Sequence, residues 1–335
     1  MAENVRANDE VGGEILSSGQ RNRRRFLQQI CAGAMAAAGA QVAMRQAYSA
    51  QGEGATPTTA PAALPTIKIG SYQLTRLIVG SNPVEGYSHS TLALSQHMRE
   101  YFTLERTVEF ASRCEQLGIN TWQSGHGPSD KVLKALKILR ERGSKIHWLC
   151  LAWEGRGLKS ISEIMTHKPI AIVHHGGVTD SLFHTGKGEK VHDFVKKVHD
   201  AGVMAGVSTH NPANVAYIEE KGWENDFFMG CFYQLTRPEE EIRAKLGTVP
   251  LGEPFLESDR EEMTAAIRKA KRPCLGFKIL GAGRLCSSTS EVESAFQYAF
   301  AHIKSTDGII VGMYPRFADE IAANVQLALK YGRPG

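Results

Sequence analysis

The sequence predicts an α/β protein of the (β/α)8 barrel class, with a β-hairpin ahead of the barrel. Eight short and almost wholly apolar segments follow one another between residues 77 and 313, and a segment of helical periodicity follows each of them. Strands that are apolar throughout are buried on both faces, which is typical of a parallel sheet covered by helices. Eight such units close into a barrel.

The elements follow in a regular order. Residues 67–74 read as the hairpin. The eight predicted strands are 77–80, 120–124, 146–153, 170–175, 204–209, 227–234, 274–280 and 308–313. The helical segments carry apolar stripes such as Val191, Val195 and Val198. An open doubly wound sheet is the alternative, but residues 79–86 lack the glycine-rich phosphate turn that such a sheet usually carries after its first strand.

The N-terminal segment resembles a twin-arginine export signal. Residues 22–27 (NRRRFL) contain an arginine pair, one free position and then Phe-Leu, and an alanine-rich run too short for a permanent membrane anchor follows. We therefore expect a signal peptide over residues 1–50, a flexible linker over 51–65 and the barrel domain over 66–335. The alternative is a disordered basic tail with an amphipathic helix. The resemblance implies the twin-arginine export machinery as a partner and a periplasmic or cell-envelope location.

The composition bounds the partners. The formal net charge is only +4 in 335 residues, and the basic residues cluster only near the N-terminus, which argues against nucleic acid as a partner. Once the signal is removed, no segment indicates a membrane partner, so we expect a small-molecule substrate. The six cysteines show no CxxC pair, and most lie in apolar runs, which is typical of buried thiols.

Two connections exceed the ordinary length. Residues 83–102 follow the first strand, and residues 235–258 follow the sixth. Both leave carboxyl ends of strands, where the functional groups of such barrels lie. Long connections at this end are usually lids or binding loops.

Several segments resemble aldo-keto reductases in their amino-acid sequence and in their order along the chain. They are residues 117–120 (LGIN), 170–175 (IAIVHH), 201–208 (AGVMAGVS), 277–285 (FKILGAGRL) and 309–313 (IIVGM), with Asn324 after them. The resemblance implies an aldo-keto reductase-like barrel. It also implies a catalytic Asp, Tyr, Lys and His at the ends of the second to fourth strands.

Most of that catalytic set is missing from this sequence. Gln123 stands at the aspartate position, His126 and no tyrosine lies in the tyrosine region, and Leu151 stands near the lysine position. The histidine is retained as His174 or His175. Because the family's tyrosine depends on the neighbouring lysine and aspartate to donate a proton, the usual mechanism cannot simply be carried over.

The resemblance also implies a nicotinamide cofactor. Gly281 and Gly283 lie in a turn whose amides are expected to cradle a diphosphate, with Arg316 and Asn324 as further cofactor-binding residues. Glu320 takes the place of a family arginine, and its charge would repel an adenosine 2′-phosphate. NADP is therefore disfavoured more than NAD, and a divalent metal stays open as an alternative cofactor.

The predicted barrel mouth is polar and rich in histidine. We predict His175, His126, Asp180 and Lys278 as catalytic residues: a histidine as acid or base, the aspartate to orient it, and the lysine to stabilise an oxyanion or enolate. Strand alternation allows only one of His174 and His175 to face the interior, and His175 is favoured. His89, His175 and His210 form the alternative set, a divalent metal site.

Three functions follow from this pattern. The first is an exported enzyme that acts on a small polar carbonyl or sugar-like compound by histidine-centred acid–base or metal-assisted chemistry. The second is an NAD(P)-dependent oxidoreductase of the aldo-keto reductase type. The third is a solute-binding protein without catalysis, in which the two long loops close over a ligand.

Overall fold

A computed structural model describes residues 63–125, 130–153 and 160–333 of the chain. Eight parallel strands form a closed barrel, in the order β10-β3-β4-β5-β6-β7-β8-β9, and a separate antiparallel pair β1-β2 precedes them. The predicted fold class is therefore confirmed. The strands are β1 Thr66–Ile69, β2 Tyr72–Thr75, β3 Leu77–Gly80, β4 Thr121–Gly125, β5 His147–Ala152, β6 Ala171–His174, β7 Met204–Thr209, β8 Phe227–Cys231, β9 Cys274–Phe277 and β10 Gly308–Gly312.

Each predicted barrel strand corresponds to one observed strand, and the differences lie at the ends. The sixth strand stops at Cys231 instead of reaching residue 234, and the seventh stops at Phe277 instead of reaching residue 280. The chain leaves the sheet at Lys278, where φ is +58°, a left-handed conformation that a strand cannot continue. Apolar composition alone does not report this change of direction.

Helices surround the barrel and also occupy the long loops. In chain order they are α1 Asn82–Glu85, α2 Leu92–Tyr101, α3 Leu104–Gln116, α4 Lys131–Glu141, α5 Ile161–Met165, α6 Gly176–His184, α7 Glu189–Asp200, α8 Pro212–Lys221, α9 Glu239–Leu246, α10 Glu257–Lys269, α11 Thr289–His302 and α12 Glu320–Tyr331. Thus α1 and α2 lie within the first long connection, and α9 lies within the second. None of the helices in the described ranges is both long and apolar enough to cross a bilayer.

The alternation of side chains along the strands divides the core into two parts. Residues such as Leu149, Val173 and Met229 form an inner cluster within the barrel. Their strand neighbours, such as Trp148, Ile172 and Phe228, belong to the larger cluster beneath the helices. Alternation therefore fixes which residues at the strand ends can reach the mouth.

The hairpin covers the amino-terminal end of the barrel. Ile67, Ile69 and Leu74 are buried in the inner cluster together with Ile78 and other strand residues. The chain just before the hairpin also packs on the domain. Leu64 is buried in the outer cluster, although it lies in the segment predicted to be a flexible linker. With this end closed, the carboxyl ends of the strands form the barrel mouth.

Candidate functional site at the barrel mouth

A buried pair of ionisable residues, Asp180 and His210, lies where β6 and β7 end. Asp180 belongs to α6, which follows β6, and His210 comes directly after β7. Oδ2 of Asp180 lies 2.8 Å from Nδ1 of His210 and 3.0 Å from the His210 backbone nitrogen. Both residues are buried, at 7% and 9% exposure. The main chain and the ring of His210 are thus held by the same carboxylate.

Further donors surround the Asp180 carboxylate. The Thr209 hydroxyl and the Asn214 amide donate to Oδ1, and the Thr236 hydroxyl donates to Oδ2 at 2.9 Å. Burial acts to raise the pKa of Asp180, but the hydrogen bonds and the charge of His210, with the Thr209 hydroxyl, hold it below its ordinary value. Asp180 is therefore an anion in the folded protein.

This arrangement fixes which tautomer His210 adopts when its imidazole is neutral. Because ionised Asp180 can only accept hydrogen bonds, Nδ1 of a neutral His210 carries the proton. The other ring nitrogen, Nε2, makes no hydrogen bond to any part of the chain that the structure describes. His210 follows Ser208 by two residues, so alternation turns both toward the inside of the barrel. An oriented imidazole of this kind can accept a proton from a substrate.

The local sequence explains the pairing. His175 caps the amino terminus of α6, where its side chain accepts from the Val178 nitrogen, and Asp180 lies little more than one turn further on. A Cβ on Gly176 would lie 2.9 Å from Ser208 Oγ and 3.0 Å from His210 Cε1, so the helix reaches β7 this closely only because that residue is glycine.

His174 and His175 point in different directions, as alternation predicts. His174 faces the surrounding helices, where it contacts the Phe194 ring and lies 2.7 Å from the Thr179 hydroxyl. Burial and the neighbouring His175 lower the pKa of His174 to about 4, so it is neutral. His175 shares alternation with interior Val173, and its ring lies 4.7 Å from the Trp153 ring.

The two long loops meet above the strands. His89, on the first loop, lies 2.8 Å from the Glu253 carboxylate on the second. The Arg284 guanidinium donates to the His89 carbonyl and stacks 3.9 Å from the centre of the Phe255 ring. His89 also adopts a left-handed φ of +52°. The mutual contact of these loops is consistent with the covering role expected from their length.

Lys278 lies at the rim of the mouth. Its ammonium is 5.6 Å from the centre of the Phe277 ring, and that ring in turn lies edge-on to His210 at 5.6 Å. Partial desolvation acts to raise the pKa of Glu253, but the hydrogen bond and charge of His89, with the charges of Lys278 and Arg284, hold it below its ordinary value. Lys278 therefore brings positive charge to the side of the mouth that also contains His210.

The structure does not bring the three predicted metal ligands together. His89 pairs with Glu253, His210 pairs with Asp180, and His175 caps α6 beside Trp153. Within the described ranges, no group of three or more His, Cys, Asp or Glu side chains is placed to hold a metal ion. His89 and His210 each contact a carboxylate of their own and do not face a common metal position.

The predicted dinucleotide cradle is not formed by the expected amides. The nitrogens of Gly281 and Gly283 donate to the carbonyls of Lys278 and Leu280, and the nitrogen of Arg284 donates to Gly281. These donors are therefore used within the turn in this structure. The role of Gly281 and Gly283 in cofactor binding stays a prediction.

The last helix offers no better fit to a nicotinamide cofactor. Glu320 accepts a 2.7 Å hydrogen bond from the Tyr314 nitrogen, and burial raises the pKa of Glu320 to about 7. Asn324 lies on the buried face of α12 with Ile321 and Val325. Arg316 is exposed and lies near the Tyr101 and Phe317 rings. In this structure Asn324 is therefore buried against the barrel, whereas Arg316 is exposed.

One predicted catalytic residue, His126, lies outside the described residues. Two residues at the mouth were missed from the sequence, namely Thr236 and Glu253. Both lie on the irregular loop after β8, where no periodic pattern indicates which side chains turn inward. Their only signal was the unusual length of that loop.

The comparisons with known proteins agree with the barrel. No protein-family model matches the chain, and no curated protein matches it significantly. A solved structure named "Putative aldo-keto reductase from Pseudomona aeruginosa" superposes with a TM-score of 0.51 at 15% identity, covering 81% of this chain and 95% of that one. A second structure, also described as a putative aldo-keto reductase from that organism, superposes with a TM-score of 0.51 at 13% identity. The match covers 80% of this chain and 96% of that one. The chain therefore has an aldo-keto reductase-like (β/α)8 barrel fold.

Proposed function

We propose that this chain is an exported enzyme that acts on a small polar carbonyl or sugar-like compound, with His210 as the group that transfers protons. The buried Asp180–His210 pair is the observation that carries this proposal. A base held by a carboxylate through one ring nitrogen presents the other nitrogen in a fixed direction. His210 follows the carboxyl end of β7, and enzymes of this architecture bind their substrates at that end of the barrel, which supports the proposal.

The reaction class follows from the groups around that nitrogen. His210 Nε2 would accept a proton from the carbon next to a substrate carbonyl, and the negative charge would develop on the carbonyl oxygen. Lys278, on the same side of the mouth, supplies the positive charge that such an enolate requires. Returning the proton to the same or to a neighbouring carbon would complete an epimerisation or an isomerisation.

The aromatic lining fits a substrate with a sugar-like face. Trp153 and His175 stand side by side at the ends of β5 and β6. Flat rings of this kind pack against the C–H faces of polyhydroxylated molecules while their polar edges remain available for hydrogen bonds. We therefore favour short hydroxy-aldehydes, hydroxy-ketones and sugars as substrates.

Exchange of hydrogen with solvent tests the reaction even when its product has not been identified. The mature protein is incubated in D2O with a panel of these compounds, and proton NMR follows the loss of signal at the carbon next to the carbonyl. We expect the His210→Gln variant to lose about 100-fold or more of the exchange rate, as is usual for removal of a general base.

A second histidine–carboxylate pair provides the matched control. His199 Nε2 lies 2.9 Å from Asp226, which comes directly before β8 at the opposite end of the barrel. His199→Gln therefore removes the same type of contact away from the mouth and should leave exchange unchanged. Equal rates in wild type and His210→Gln would refute the proposed role, and binding of the compounds without any exchange would favour a solute-binding protein.

The exported location rests on the arginine pair Arg23 and Arg24. Their replacement by lysine should retain the protein in the cytoplasm if residues 1–50 act as a twin-arginine signal. Cell fractionation with an antibody against the barrel domain measures this. Unchanged export would remove this part of the proposal and leave the chemistry at His210 untouched.

A further inference from the structure

Thr236 contacts the buried Asp180 from the long loop that follows β8. The residue itself is exposed, but its hydroxyl reaches Oδ2 of Asp180 at 2.9 Å. The same oxygen accepts from Nδ1 of His210 at 2.8 Å. Thr236 and His210 therefore share one carboxylate oxygen.

Thr236 differs from the other donors in its origin. Thr209, His210 and Asn214 belong to β7 and the beginning of α8, so they arrive at Asp180 together. Of the donors to Asp180 in the described chain, only Thr236 comes from a different strand unit. Its hydrogen bond forms only when the loop after β8 is seated against the mouth.

The next residue fixes the loop in that position. Arg237 is buried at 5% exposure, and its guanidinium lies 2.7 Å from the Asp259 carboxylate at the beginning of α10. It also donates to Gln234 and to Glu241. A buried arginine with this many partners holds the backbone beside it in one place. The Thr236 hydroxyl is thus held in place by neighbouring structure.

We propose that Thr236 is a positioning residue, which fixes the orientation of Asp180 and through it the imidazole of His210 when the loop is seated. A carboxylate that accepts donors from two sides cannot rotate freely, and its remaining lone pairs are directed at the imidazole. Loss of the hydroxyl would leave His210 with a partner of less defined orientation. The effect on catalysis rests on the proposed function, whereas the effect on the imidazole does not.

Two threonine variants and one control separate this role from a general effect on the loop. Thr236→Val keeps the shape and removes the hydroxyl, whereas Thr236→Ser keeps the hydroxyl. Glu241→Gln weakens a loop contact of Arg237 without touching Asp180. The readout is the pair of ring nitrogen signals of His210 in long-range proton–nitrogen NMR of the full mature chain, assigned by their loss in His210→Gln.

We expect Thr236→Val to move the His210 Nδ1 signal and to lower kcat by about 10-fold with little change in KM, because a hydrogen bond to a charged group is lost. Thr236→Ser and Glu241→Gln should resemble wild type in both measurements. An unmoved His210 signal in Thr236→Val, or an equal shift in Glu241→Gln, would overturn the inference. A shifted signal in a protein without any proton exchange would instead preserve the inference and count against the proposed function.

Discussion

Two consecutive glycines at the start of α6 allow a sharp test of the site geometry. A Cβ on Gly176 would meet Ser208 Oγ at 2.9 Å and the His210 ring atoms Cε1 and Nδ1 at 3.0 and 3.2 Å. A Cβ on Gly177 would meet only the His175 ring, at 3.4 and 3.6 Å, which are ordinary contacts. Gly176→Ala and Gly177→Ala therefore make the same chemical change beside different neighbours.

The expected magnitudes come from two opposing effects. Alanine favours helix over glycine by about 0.5–1 kcal/mol, and this gain is available to both variants. Crowding a packed site costs roughly 1–3 kcal/mol, and this cost applies only to Gly176→Ala. We expect Gly177→Ala to be about 0.5–1 kcal/mol more stable than wild type and Gly176→Ala to be about 0–2.5 kcal/mol less stable.

The functional difference should be larger than the difference in stability. The methyl group of Gly176→Ala must displace the Ser208 hydroxyl and the His210 ring by a few tenths of an ångström, since these side chains are its nearest neighbours. A displacement of about 1 Å costs up to roughly 100-fold in rate, so we expect a loss of about 10-fold in the exchange assay. Urea unfolding gives the stabilities, and deuterium exchange gives the rates. If Gly176→Ala matched Gly177→Ala in both, the close approach of α6 to His210 would be refuted.

Three further predictions concern other groups. The pKa of Glu320 is raised from 4.5 to about 7, so the folded state binds the proton more tightly and stability falls as pH rises from about 4.5 to about 7; at about 1.4 kcal/mol per pKa unit, Glu320→Gln should remove a loss on the order of 3 kcal/mol in unfolding experiments across that range. Burial raises the pKa of the thiols of Cys231, Cys274 and Cys286 to about 12, so these thiols should not react with Ellman's reagent at pH 8 until the protein is unfolded. NADH and NADPH should show no saturable change in fluorescence with the mature protein, and a Glu320→Arg variant should not create one, because the amides of the Gly281 turn remain occupied.

The fold was predictable from the sequence because strands that are buried on both faces are apolar at consecutive positions. The parallel strand β10 (GIIVG) has no polar side chain, and the helix that follows it repeats its buried apolar residues every three or four positions, at Ile321, Val325 and Ala328. Strand ends were less predictable. Phe232 and Tyr233 are as apolar and as buried as the strand before them, but they lie beyond its end. An apolar composition indicates that a segment is buried, but it does not indicate where the chain turns out of the sheet.

The sequence predicted some residues of the site but not how they are arranged. Asp180 and His210 were both singled out, the first to orient a histidine and the second as a metal ligand. Asp180 and His210 can pair because α6 lies close to β7. Gly176 allows this close approach, and the sequence pattern does not reveal it because glycine has no side chain. Thr236 lies on an irregular loop, and its inward turn depends on the buried contact between Arg237 and Asp259.

The position of the proposed proton-transferring group, His210, also limits what the likeness to aldo-keto reductases can mean. In the sequence resemblance, the family's aspartate and lysine positions fall at the ends of β4 and β5, where this chain has Gln123 and Leu151. Neither side chain titrates, so these two positions cannot tune a proton donor in the family's manner. The buried pair Asp180 and His210 lies instead at the ends of β6 and β7, and Lys278 follows β9. Under the proposed function a substrate carbonyl approaches that other side, and the shared barrel alone does not determine the reaction.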